Sequence, residues 1–208
     1  MARPCFPLMP YHAYGKMDRE DIYSIIAYLR TLPAIQNDVP ETKLDFPVNF
    51  LVNTMPVKAS FTLKPRSTNT VAYGGYVANA AGCVDCHSKF TGKGEMVAGS
   101  AFGGGRQFNF PGGLVTAHNI SPDKQLGIGS WTKEQFINRF KMFTDSAWKS
   151  AKLSATDFNT PMPWSMYAGM SAQDLSALFD FLQSQKPMAN KVNKWVANTE
   201  PQAFLLCK

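Results

Sequence analysis

The stretch AGCVDCHSKF, residues 81–90, decides the reading of the whole chain. Cysteines at i and i+3 with histidine at i+4 ride neighbouring turns of a helix, so Cys83, Cys86 and His87 turn two thiols and an imidazole the same way. This is the spacing that attaches a c-type haem: each thiol adds across a porphyrin vinyl group, and the imidazole reaches the iron from the proximal side. A zinc site built on the same three residues would need a fourth ligand, and a histidine directly after the second cysteine is poorly placed to complete a tetrahedron. A dithiol redox couple needs its pair at the start of a helix after a strand. Here the preceding VAYGGYVANAAG, residues 71–82, reads as a helix instead.

An iron held by one histidine has a sixth position to fill. Thioether sulfur raises the reduction potential and closes the iron to outside ligands, which suits an electron carrier. Met162 is the candidate, because FNTPMPW (158–164) brackets it with Pro161 and Pro163, which restrict the backbone on both sides. His118, in the loop LVTAHNISPDKQLGIGSW (114–131), is the rival, and a second histidine would give a lower potential. Met166 and Met170 read as packing at a helix entry, while Met96 and Met142 have no distinguishing context.

The chain of 208 residues, 45% hydrophobic and 17% charged, is long enough for one full core and part of another. Its formal charge of +6 favours acidic partners, but the lysines are scattered and nowhere interleaved with aromatics, which excludes nucleic acid as a partner. No run of about eighteen apolar residues offers a membrane span. The opening MARPCFPLMP is too rich in proline for a secretion signal.

From about Thr70 to Pro187 the chain resembles a class I cytochrome c domain, and more narrowly the multi-haem cytochrome c subunits of bacterial membrane-bound alcohol, aldehyde and gluconate dehydrogenases. The resemblance is carried by YGGYVANAAGCVDCHS (73–88), NISPDKQLGIGSWTKEQF (119–136) and PMPWSMYAGMSAQDLSALFDFLQS (161–184). Those relatives usually have threonine where Ser121 stands, a change that keeps the hydroxyl. The resemblance implies an all-α cytochrome c fold, with opening and closing helices crossing over one covalent haem c and Gly75 meeting Phe181. It implies His87 and Met162 as proximal and distal ligands, with Asn119 and Trp131 at the haem edge near its propionates. It further implies an electron carrier rather than an enzyme, working between a membrane-bound dehydrogenase and a terminal oxidase or other respiratory acceptor. The alternative is a haem enzyme or gas sensor with an open or bis-histidine iron.

One oddity remains. MPYHAYGKMDRED (9–21) aligns without a gap on MPWSMYAGMSAQD (162–174), and the apolar pattern runs on, IYSIIAYLR over LSALFDFLQ. A repeat at so large a separation indicates related tandem domains rather than a solenoid. Residues 1–34 are therefore expected to be the C-terminal loop and helix of a preceding cytochrome domain, with Met9 the distal ligand of a haem whose attachment motif is missing. His12 faces Ser165 in this alignment and reads as surface decoration. Residues 35–69, rich in proline, read as an extended connector, 70–190 as a complete monohaem domain and 191–208 as a tail. Truncation would also remove a signal peptide, so a periplasmic or outward-facing location is expected. Cys5 and Cys207 lie outside the haem motif and are expected to stay free.

Overall fold

The computed structural model describes residues 10–38, 40, 43–54, 58–92, 94–144, 154 and 157–198. Met9, Cys5 and Cys207 lie outside these residues. The chain divides into two compact units, 1–65 and 66–208.

In the first unit a short helix α1 (Tyr11–Tyr14) leads into α2 (Arg19–Thr31), which starts on Asp18, whose carboxylate accepts the Glu20 amide at 2.9 Å. Residues 58–64, read from sequence as connector, run back along this pair. The Ser60 amide donates to Gly15 O at 2.8 Å, the Lys64 amide to Asp18 Oδ2 at 2.8 Å, and Lys64 Nζ pairs with Asp21 at 2.6 Å. A short helix α3 (Val48–Leu51) lies between them in sequence. Ala13, Met17 and Val52 are buried, but no residue of α2 is.

The second unit is helix-rich with a small sheet. Its helices are α4 (Thr70–Ala80), α5 (Cys83–Cys86), α6 (Lys133–Lys141), α7 (Trp164–Tyr167) and α8 (Ala172–Gln183). Asn69, Thr132 and Ser171 cap α4, α6 and α8, the last two in capping boxes with Gln135 and Asp174. Strands β1 (Gln107–Phe110) and β2 (Gly113–Thr116) make an antiparallel hairpin, and β3 (Trp195–Ala197) joins the far edge of β2. The expected all-α architecture is corrected here. The glycines of 98–113 read as a loop, yet the short β-forming runs QFNF and LVT flank a Pro111-Gly112 turn, and the tail supplies a third strand.

The core lies where α8 meets α4 and α6. Leu175, Leu178, Phe179 and Leu182 of α8 pack with Val77, Ala78, Phe136 and Phe140, and Phe136 sits 5.3 Å from Phe179 ring to ring. Helices α4 and α8 touch at Gly74 and Gly75. A Cβ on Gly74 would overlap the Ala177 carbonyl, whereas one on Gly75 would meet the Phe181 ring at 3.0 Å. Gly75 does meet Phe181, as the resemblance implied. Tyr73 adds a hydrogen bond across this contact, its hydroxyl donating to Asp174 Oδ1 at 2.7 Å.

Gly74→Ala is expected to cost roughly 1–3 kcal/mol, because backbone must move, and Gly75→Ala clearly less, because a ring can tilt. Thermal denaturation of the two variants checks the order. Burial works to raise the Asp174 carboxyl, but the hydroxyls of Ser171 and Tyr73 and the Ser171 amide outweigh it and hold it below its ordinary value. A depressed folded-state pKa contributes stability above the unfolded value and loses it as pH falls through the folded one. Asp174→Asn should therefore melt earlier than wild type at neutral pH, and the two melting temperatures should converge below about pH 4.

Candidate functional site

Helix α4 runs almost directly into the CxxCH segment. Gly82, in the left-handed region at φ 64°, turns the chain between Ala81 and Cys83, a conformation that favours glycine. The Tyr167 hydroxyl donates to Ala81 O at 2.6 Å and so ties this turn to α7. Cys83, Cys86, His87 and Met162 all line one cavity of about 490 Å³, within the ~300–1,000 Å³ common for cofactor sites. Asn119, Trp131 and His118 line it too. The six residues singled out for the site are therefore brought together, although they come from four separate stretches of chain.

His87 is oriented by a bond that sequence reading missed. Its Nδ1 lies 2.8 Å from His118 O. A carbonyl can only accept, so Nδ1 carries the proton and Nε2 keeps its lone pair. Burial lowers the His87 pKa, the His118 carbonyl partly opposing it, so the ring is neutral. His118 thus contributes its backbone, on the Nδ1 side of His87, while its ring is a separate lining group. Burial also lowers the pKa of the His118 ring, helped by the charges of Lys194 and Arg139.

The loop that presents this carbonyl is held by polar bonds. Gly104, at φ 74°, presses against the backbone of 117–119, where a Cβ would lie 2.6 Å from Ala117 O; its amide donates to His87 O at 2.8 Å. The glycine cluster thus serves close backbone contact within the loop. Asn119 is buried and its amide donates to Met188 O at 2.7 Å and Asn190 O at 3.2 Å. The Ser121 hydroxyl, fully buried, accepts the Met188 amide at 2.9 Å, and Asn190 donates to Gly103 O at 2.8 Å. Nothing in their sequence context marks Met188 and Asn190, because their role is set by where the chain passes after α8.

Arg106 is a further residue the motif did not reveal. It donates to Asp85 O at 2.6 Å, and its guanidinium lies 5.0 Å from the Phe90 ring and 5.4 Å from Phe108, beside the CxxCH turn. Met162 sits in the Thr160–Trp164 bend, its amide accepted by Thr160 Oγ1 at 3.2 Å and its carbonyl accepting the Trp164 amide at 2.8 Å.

The donor set suits a covalently held haem. Cys83 and Cys86 are both free thiols, on the same wall as a neutral imidazole with an available Nε2, and a thioether lines the same cavity. No group of three or more His, Cys, Asp or Glu that could hold a metal ion exists among the described residues, which leaves the zinc alternative without a fourth ligand. No helix among them is long and apolar enough to cross a membrane.

No protein-family model matches the chain. It is 29% identical over 117 residues to the "Alcohol dehydrogenase (quinone), cytochrome c subunit" of Gluconobacter oxydans, covering 56% of this chain and 22% of that protein. It is 32% identical over 120 residues to the "Gluconate 2-dehydrogenase cytochrome c subunit" of Pantoea cypripedii, 57% of this chain and 24% of the relative. It is 30% identical over 134 residues to the "Diheme cytochrome c-type" of Cereibacter sphaeroides, 64% of this chain and 42% of the relative. The chain thus spans less than half the length of the curated relatives it matches, and the resemblance to dehydrogenase cytochrome c subunits stands.

Burial raises the Cys83 thiol to about 12, with Cys86 adding to the shift; burial also raises Cys86, but the Arg106 charge opposes it there. In protein with both thiols free, iodoacetamide should label Cys86 well before Cys83, since the thiolate is the nucleophile. Peptide mass mapping over a time course reads the order.

Proposed function

We propose that the chain is an electron-transfer cytochrome c domain carrying one haem c, bound covalently through Cys83 and Cys86 and held axially by His87 and Met162. The observation that carries this reading is the convergence of these four side chains on one cavity, with the His87 Nδ1 proton already committed to His118 O. When bound, the haem supplies reversible one-electron chemistry at its iron.

The chain's residues do the rest. Cys83 and Cys86 tether, and His87 offers Nε2 while His118 O fixes the ring and strengthens it as a donor. Met162 closes the far position, which raises the potential and keeps out external ligands. Phe136, Phe140 and Leu178 give the cavity an apolar lining that excludes water. The opening and closing helices, α4 and α8, take the crossed arrangement of the cytochrome c fold over this cavity. No substrate pocket is required of such a domain.

In this reading the donor is a dehydrogenase of the kind named for the relatives, and the acceptor a component of the respiratory chain. The chain works in the periplasm or on the outward face of the membrane, where thiol-linked haem is attached. Residues 1–34 are the closing part of a second such domain, joined through 35–69 to the haem domain at 70–190, with 191–208 as its tail. The bis-histidine alternative has less support, because the bond His118 makes to His87 runs through its backbone carbonyl to Nδ1.

Expression with a bacterial haem-ligation system should add the mass of one haem per chain, with a pyridine haemochrome count of one. Cys83→Ser with Cys86→Ser should abolish the covalent adduct. The ferric protein should show a near-infrared sulfur-to-iron band that Met162→Ala removes. The reduced wild type should bind carbon monoxide slowly or not at all, and Met162→Ala rapidly. Bare polypeptide mass, or a band indifferent to Met162, would sink the reading.

A further inference from the structure

Little within the Met162 bend itself fixes where the thioether sits. Its local bonds run from the Met162 amide to Thr160 Oγ1 at 3.2 Å and from the Trp164 amide to Met162 O at 2.8 Å. Helix α7 behind it has only four residues, too few to stand as an isolated helix. The bend must therefore be held in place by contacts from other parts of the chain. One is the Tyr167 hydroxyl on Ala81 O. Others come from α6 and the short 3₁₀ helix Met142–Thr144 that follows it.

The aromatic contacts converge on Trp164, just after Met162 and Pro163. Phe143 stacks on it with ring centroids 4.8 Å apart and planes 18° from parallel, and Phe140 lies 5.5 Å from it. The polar contact is Lys141, whose Nζ donates to Ala168 O at 2.9 Å and also to Met170 O, carbonyls of the turn that joins α7 to α8. A helix end leaves its last carbonyls without partners, and a charged donor satisfies them strongly. The repeated segment ties the same turn. Gly15, which aligns with Ala168, has its carbonyl bonded by the Ser60 amide at 2.8 Å, and Lys16 O accepts the Thr62 hydroxyl. Arg139 and Lys194 line the cavity, where no Asp or Glu stands among the described lining residues, but Lys141 does not line it. Its influence on the site therefore passes through the turn.

Resting on the haem reading above, we propose that Lys141, backed by the Phe143–Trp164 stack, is a positioning residue that clamps the Met162 bend and so sets how readily the sixth position opens to outside ligands. The bend is either closed, with the thioether in the cavity, or open, with α7 lifted from α6. Contacts made only in the closed form shift that equilibrium by their own free energy. Lys141 makes two of them where α7 hands over to α8. The open fraction in turn scales the apparent affinity for any external ligand.

The test uses the haem-loaded protein as wild type, Lys141→Leu, Lys141→Arg, Tyr73→Phe and Met162→Ala. Haem per chain, melting temperature and the affinity of the ferric form for added imidazole are measured on the same samples. Met162→Ala marks the fully open site. With one haem retained, Lys141→Leu should bind imidazole about tenfold more tightly than wild type, while Lys141→Arg, which keeps a charged donor, should stay near it. Tyr73→Phe should melt earlier with wild-type affinity, because the bond it loses to Asp174 lies on the contact of α4 with α8. Wild-type affinity in Lys141→Leu at full loading overturns the proposal. An equal gain in Lys141→Arg or Tyr73→Phe does so too, since it would assign the effect to general loosening. Should Lys141→Leu fail to fold, Phe143→Leu is read by the same criterion. Absence of covalent haem from the wild type, or wild-type imidazole affinity in Met162→Ala, overturns the proposed function itself, and this proposal with it.

Discussion

Two helices that touch backbone to backbone set the geometry of the haem-type unit. Gly74 lets α4 lie against the Ala177 carbonyl of α8, and Gly75 accepts the Phe181 ring. Everything with chemistry hangs from that contact. The CxxCH segment begins three residues after the end of α4, and the bend holding Met162 ends where α7 begins, eight residues before α8. Bringing the helices together therefore brings thiols, imidazole and thioether to one cavity. The Tyr167 hydroxyl on Ala81 O ties the two ends to each other.

Polar bonds, rather than apolar packing, then aim the site. The His118 carbonyl orients His87, and the loop carrying it is held by Gly104, Asn119 and Ser121, with Met188 and Asn190 as partners. Asn119 and Ser121 are among the most buried polar residues, and both are satisfied. Buried groups of this kind are costly to leave unpaired, so they admit few alternative loop conformations. That restriction keeps the His87 proton on Nδ1 and the lone pair on Nε2, where a ring free to rotate could offer either nitrogen.

The repeated segment shows how far pattern goes. Ile22, Ile25, Ile26 and Leu29 stand in register with Leu175, Leu178, Phe179 and Leu182. Both segments form helices behind an acid- or hydroxyl-capped start. Yet Leu178 and Leu182 are 2% and 1% exposed, while Ile25 and Leu29 are 45% and 57%. Periodicity dictates which face of a helix is apolar. What covers that face depends on other chain.

Read alone, the sequence determined the grouping of Cys83, Cys86 and His87, because they are local: one helical turn suffices to place them. It indicated the opening helix in the same way, from the composition of residues 71–82. The Gly75–Phe181 contact and Met162 came from resemblance and from proline-flanked context. Only tertiary structure decided the hairpin of 107–116 with its third strand from the tail, the His118 carbonyl, and the single sign of the cavity's charges. The hairpin's own runs are local but only four residues long, whereas the third strand, the carbonyl and the cavity's charges join residues distant in sequence through backbone groups or net charge, which carry no signature that periodicity or spacing could display.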